Sequence, residues 1–136
     1  MIKHSTEKPP NWGRICAVFG VEKMWDKGLL VTYGDTYYSK FETTPDLIAH
    51  ESTHTRQQEA YGGPEKWWER YFGDPIFRLE QEVEAYRNQV KWLQDHTEGM
   101  SRDERRWRIK HCAESLSSGM YGAIISYDKA LALIKS

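Results

Sequence analysis

His50-Glu51-Ser52-Thr53-His54, set within Leu47-Ile48-Ala49-His50-Glu51-Ser52-Thr53-His54-Thr55-Arg56-Gln57-Gln58, is the stretch from which the rest of the chain can be read. On a helix, two histidines four positions apart lie about 40° apart on one face, one turn from each other. Two imidazoles so placed can bind one tetrahedral ion from the same side. Glu51 lies about 100° round from His50, near enough to serve the site without ligating the ion. By composition alone, roughly 0.02 matches to this pattern are expected in the whole chain, so accident is a poor explanation. The context also suits a helix. Thr44 fits an N-cap, Pro45 the first helical position, and Asp46 the positive N-terminal end. The helix is expected to run to about Tyr61, where Gly62-Gly63-Pro64 stops it, with Leu47, His50, His54, Gln57 and Tyr61 on one side.

At 136 residues the chain is expected to form a single domain, residues 1–136. Charged residues at 29% and aromatics at 13% indicate a folded rather than disordered chain. A net charge of −1 gives no general attraction to nucleic acid or acidic lipid, so neither is an expected partner. The N-terminal ten residues lack the apolar core of a secretory signal, and no apolar run approaches a membrane span. The expected location is the cytoplasm, with packaging into a particle left open. Cys16 and Cys112 form no Cys-x-x-Cys and read as two reduced thiols. Cys112 follows His111, but neighbours on a helix cannot easily share one metal, so that pair reads as structural.

Upstream of the motif, residues 1 to about 13 read as a polar, loosely held lead-in, and Arg14–Gly20 as a short apolar run, a strand by preference with a first helical turn as the alternative. Leu29–Tyr33, Gly34-Asp35 and Thr36–Ser39 read as a β-hairpin with a Gly-Asp turn. Downstream, Pro64–Phe72 reads as a short helix ending at Gly73, its Trp67, Trp68, Tyr71 and Phe72 as packing residues. Asp74-Pro75 opens a long helix to about Asp95, with Leu79, Val83, Tyr86, Val90 and Leu93 as its apolar stripe. Ser101-Arg102-Asp103-Glu104 is a capping box for a helix to about Ser117, whose arginines read as a solvated face. After Gly119–Gly122 a last helix starts near Ser126, with Ala130, Leu131, Leu133 and Ile134 as packing residues. The expected class is therefore α+β: mainly helical, with a small antiparallel hairpin or sheet at the N-terminal end.

Two histidines leave a tetrahedral ion short of ligands. Of Glu80, Glu82 and Glu84, only Glu82 lies within roughly 60–70° of the stripe centred on Val83 and Tyr86. An inward carboxylate is costly unless paired or metal-bound, so Glu82 is the expected third ligand, a salt bridge to a buried Arg being the alternative.

The His-Glu-x-x-His pattern followed by Glu82-Val83-Glu84-Ala85 resembles the gluzincin branch of zinc metallopeptidases. It is similar to compact members with a Glu-x-x-Ala-Asp motif and to peptidases that cleave phage repressors. The wider pattern, from Gln57-Gln58 through Trp67-Trp68 to Phe77–Glu82, resembles small zincin-like proteins encoded by phages. The resemblance implies one Zn²⁺ on His50, His54 and Glu82, with Glu51 as general base for hydrolysis of a peptide bond by a zinc-activated water. Tyr121 or His111 is offered as a donor to the developing oxyanion. The Leu29–Ser39 strand edge is the expected dock for an extended peptide or protein substrate. Tyr86 stands where the family has the Asp that supports the site from behind. Either Tyr86, Gln57 or Gln58 takes over that role, or the site is a weaker catalyst. Two other uses of the same zinc remain open: a non-catalytic, zinc-stabilised binding or virion structural protein of phage origin, and a regulatory protease acting on one host partner.

Overall fold

The computed structural model describes all 136 residues apart from the side chain of Met120. The fold is α+β and mainly helical, with a small mixed sheet near the N-terminus. The chain divides into two compact units, Met1–Gly73 and Asp74–Ser136.

The first unit holds three strands, β1 (Lys3–Ser5), β2 (Val31–Tyr33) and β3 (Thr36–Tyr38), and three helices, α1 (Trp12–Phe19), α2 (Pro45–Ala60) and α3 (Pro64–Gly73). A 3₁₀ segment, Glu22–Lys27, follows α1. The expected hairpin is present, with Val31 opposite Tyr38, Thr32 opposite Tyr37 and Tyr33 opposite Thr36. Gly34 takes φ +65° at the first loop position and Asp35 keeps a negative φ, the pattern of a type II′ turn.

Two expectations upstream of the hairpin fail. Residues 3–5 are a strand rather than part of a loose lead-in: β1 pairs parallel with β3, in the order β1-β3-β2. Lys3 N–H donates to Asp35 O at 2.8 Å, His4 Nε2 lies 3.1 Å from Ser39 O, and the His4 ring stacks on Tyr37. These long-range bonds, not local alternation, hold the segment. Arg14–Gly20 is helical rather than extended. Ile15 is buried, and Phe19, one turn on, meets the rings of Tyr71 and Phe72. The helix brings Ile15 and Phe19 within one turn, about 6 Å along its axis, where a strand would hold them about 13 Å apart. Gly20 ends α1 in the left-handed region at φ +63°, its N–H bonded to Cys16 O.

Helix α2 starts and stops where expected, with Thr44 at the N-cap position and Pro45 at the first turn. The Thr44 hydroxyl does not cap a backbone N–H. It donates to Asp46 Oδ1 at 2.6 Å. Every buried residue of α2 is polar: Asp46, His50, Glu51, Thr53, His54, Gln57 and Gln58. Of the side predicted from sequence, Leu47 is only half-buried and Tyr61 is exposed. Two i, i+4, i+7 stripes account for the buried residues other than Asp46 and Thr53. One is His50, His54 and Gln57. The other, one residue round, is Glu51, Thr55 and Gln58, and it docks the hairpin. Thr32 Oγ1 donates to Glu51 Oε1 at 3.0 Å and Thr55 Oγ1 donates to Gly34 O at 2.8 Å. Gln58 makes two bonds: Gly34 N–H donates to its Oε1 at 2.7 Å and its Nε2 donates to Thr32 O at 2.9 Å. Trp67, Trp68 and Tyr71 of α3 form a buried aromatic stack, and Trp68 Nε1 also donates to Thr32 O.

In the second unit, α4 (Pro75–Asp95), α5 (Arg102–Leu116) and α6 (Tyr127–Lys135) follow the predicted boundaries closely. Asp74 accepts from Ile76 and Phe77 N–H, Ser101 from Glu104 N–H, and Ser126 from Lys129 N–H, so each helix is capped. The core is Tyr86 and Val90 from α4, Cys112, Ala113 and Leu116 from α5, and Ala130 and Ile134 from α6. Leu79, Val83 and Leu131 pack on its margin, and Leu133 is exposed. Cys16 and Cys112 are both free thiols.

Gln58 is fully buried and bonds two backbone groups of the hairpin, so its loss removes the partner of the half-buried Gly34 N–H and one of two donors to the buried Thr32 carbonyl. Gln58→Ala is expected to cost about 2 kcal/mol. The cap substitution Ser101→Ala is expected to cost about 1 kcal/mol. Both are read as shifts of the urea midpoint at unchanged slope.

Candidate metal centre

His50, Glu51 and His54 are all about 5% exposed on consecutive turns of α2. The two imidazoles turn their Nε2 atoms towards each other at 3.2 Å, with ring planes 77° apart. Two ligands at about 2.0–2.1 Å from a tetrahedral ion would be separated by about 3.3 Å. The pair is therefore spaced as two ligands of one ion.

The tautomer of His54 follows from its other nitrogen. Nδ1 lies 2.8 Å from Gln57 Oε1, a carbonyl oxygen that can only accept. The proton sits on Nδ1 and the Nε2 lone pair is left for a metal. Gln57 completes the His50–His54 stripe, and its side-chain carbonyl meets the His54 ring on the nitrogen opposite Nε2. Trp67 closes one side of the His54 ring at 5.4 Å between centroids. Of the three residues that sequence offered for this supporting role, Gln57 meets His54, while Gln58 is committed to the hairpin.

Glu82 on α4 is 3% exposed, whereas Glu80 and Glu84 face solvent, as the helical wheel requires. One ligand atom each from His50, His54 and Glu82 lie within 4.8 Å of one another, and all three residues are buried. This His-His-Glu group could hold a metal ion. Two imidazole nitrogens and a carboxylate suit zinc, and also other divalent first-row ions.

Glu51 does not belong to the ligand group. Its Oε1 accepts from Thr32, and its Oε2 lies 3.7 Å from His50 Nε2. Thr32, a polar residue between Val31 and Tyr33, is the contact that sequence reading missed. The signal was its place at mid-strand, where a hydroxyl facing inward must find an acceptor.

Tyr86 is buried, and its hydroxyl lies 3.3 Å from that of Tyr121. Burial and the nearby Glu82 carboxylate raise the Tyr86 pKa and keep it a neutral phenol, against the opposing pull of the Tyr121 hydrogen bond. Tyr121 thus sits at the end of a tyrosine pair, on the 3₁₀ turn Gly119–Tyr121. His111 lies on the exposed face of α5, stacked on Trp107 and 3.8 Å from Glu114. The expected substrate edge of the hairpin is partly occupied. In a two-residue hairpin the Thr32 carbonyl points away from β3, and here it accepts from both Gln58 and Trp68. Gly34 is likewise held by Gln58 and Thr55, so neither residue offers these groups to an added strand.

No protein-family model matches the chain, and comparison with curated proteins and with solved structures finds no match either. Among the described residues, no helix is long and apolar enough to cross a membrane.

Two outcomes follow from the geometry. Glu82→Ala should lose metal affinity far more than Glu80→Ala or Glu84→Ala, measured by competition with a chromophoric chelator. Gln57→Ala should weaken metal binding by about 10–100-fold while the far-ultraviolet spectrum stays that of the wild type.

Proposed function

We propose that the protein is a zinc-dependent peptidase of the gluzincin type. The observation that carries this reading is the buried His50–His54–Glu82 group with a further buried carboxylate, Glu51, beside it and outside the ligand set. A site serving only as a structural staple has no need of an extra carboxylate held by Thr32 through one oxygen, with the other 3.7 Å from His50 Nε2.

His50 Nε2, His54 Nε2 and a Glu82 oxygen would hold the ion. Bound there, zinc supplies Lewis acidity toward a carbonyl oxygen and makes water a better nucleophile near neutral pH. The chain does the rest. Gln57 keeps the His54 proton on Nδ1 and so keeps Nε2 a ligand. Glu51 is the base. With Oε1 engaged by Thr32, Oε2 takes the proton from the attacking water and passes it to the leaving amine nitrogen. The acyl carbon gains the water oxygen, the C–N bond breaks, and Glu51 returns to its carboxylate form. The substrate class is a peptide or protein.

Glu51→Gln separates this reading from the structural one. It should retain the wild-type metal content, measured by elemental analysis, and lose hydrolysis of a mixed peptide library by at least about 100-fold. A variant that binds metal and cleaves as the wild type does would leave zinc as a staple only.

A further inference from the structure

We infer that Thr32 is a positioning residue for the general base: its hydroxyl clamps one oxygen of Glu51 and leaves the other to carry the proton. The inference rests on the assignment of Glu51 as base made above. Thr32 is 2% exposed and Glu51 5%, and Thr32 Oγ1 donates to Glu51 Oε1 at 3.0 Å. A threonine hydroxyl has a single proton to give, and here it goes to the carboxylate. The two carboxylate oxygens are thereby made unequal. Oε1 faces the hairpin, and Oε2 faces His50 Nε2 at 3.7 Å.

The clamp is itself held still. The Thr32 carbonyl accepts from Gln58 Nε2 at 2.9 Å and from Trp68 Nε1 at 3.0 Å. Two residues on, Gly34 is tied to Gln58 through its N–H and to Thr55 through its carbonyl. Thr32 therefore cannot drift relative to α2 without breaking bonds to residues one and two turns beyond Glu51. The Glu51–Thr55–Gln58 stripe thus does two tasks at once: it docks β2, and through β2 it sets the rotation of the carboxylate on its own first member. During turnover the Thr32 proton stays on Oγ1. Oε2 alone gains and returns the water proton, so Thr32 touches neither the water nor the peptide. A buried base whose carboxylate could rotate would spend part of its time aimed away from the reacting atoms, which lowers turnover more than substrate binding.

The plain alternative is that Thr32 merely satisfies a buried polar group, and two kinds of measurement separate the readings. Thr32→Val removes the hydroxyl at nearly constant volume, and Thr32→Ser keeps it. Thr32→Val should lower kcat by about 10–100-fold with KM and zinc content unchanged, and Thr32→Ser should restore most of the loss. A kcat equal to wild type in Thr32→Val, or a loss that Thr32→Ser does not recover, would overturn the inference. The second measurement needs no activity. Unfolding midpoints of Thr32→Val, Glu51→Ala and the double variant should be non-additive, because both remove the same bond. Additive midpoints would overturn the clamp even if the wild type is a peptidase. Non-additive midpoints in a wild type that cleaves no peptide would support the clamp and overturn the peptidase reading instead.

Discussion

A helix whose buried residues are all polar is the constraint on which the first unit depends. Leaving a buried polar group unpaired costs about 1–3 kcal/mol, and a charged one more. Helix α2 buries seven polar residues and no apolar one. Each group therefore needs a specific partner: Thr53, His54 and Gln57 bond within α2, Asp46 meets the N-cap Thr44, and the hairpin supplies the partners of Glu51 and Gln58. The hairpin brings Thr32 and Gly34 to one stripe, and α3 brings Trp67 against His54. Apolar burial adds the aromatic stack of Trp67, Trp68 and Tyr71, but it does not choose the register. The hydrogen bonds do.

This division explains how a short hairpin can be placed so closely. Three-residue strands bury little area, and a two-stranded ribbon of that size is not stable alone. Its position comes from four directional bonds to α2 and one from Trp68. Directional bonds lock rotation as well as distance, which oil-like packing does not. The second unit is built the other way. Its helices meet around Val90, Leu116 and Ile134 with a serine or aspartate capping each N-terminus, and its organising force is burial. Glu82 stands on the buried side of α4 as an exception to that apolar logic.

Much of this was readable from residue patterns. Gly34-Asp35 between β-branched and aromatic runs gives a hairpin because glycine tolerates the positive φ the turn needs. Asp74-Pro75, the Ser101–Glu104 box and Ser126 mark helix starts by their chemistry. Glu82 was separable from Glu80 and Glu84 because a helix turns by 100° per residue. Where reading failed, the deciding contact was distant. Residues 3–5 have no alternation to betray a strand, and only pairing with β3 makes them one. Residues 14–19 carry β-branched side chains that suit either structure, and the aromatic face of α3 selects the helix.

The site shows the same boundary. Sequence by itself determined that His50 and His54 share a helix face, that Glu51 stands one step round from them, and that Glu82 is the inward carboxylate of its helix. These follow from periodicity, which is a local property of the backbone. Tertiary structure alone decided that Gln58 is spent on the hairpin and that Thr32 reaches the Glu51 carboxylate from 19 residues away. A hydrogen bond is specified by the position and direction of both partners. One partner's place in the sequence states only half of that, and the fold supplies the other.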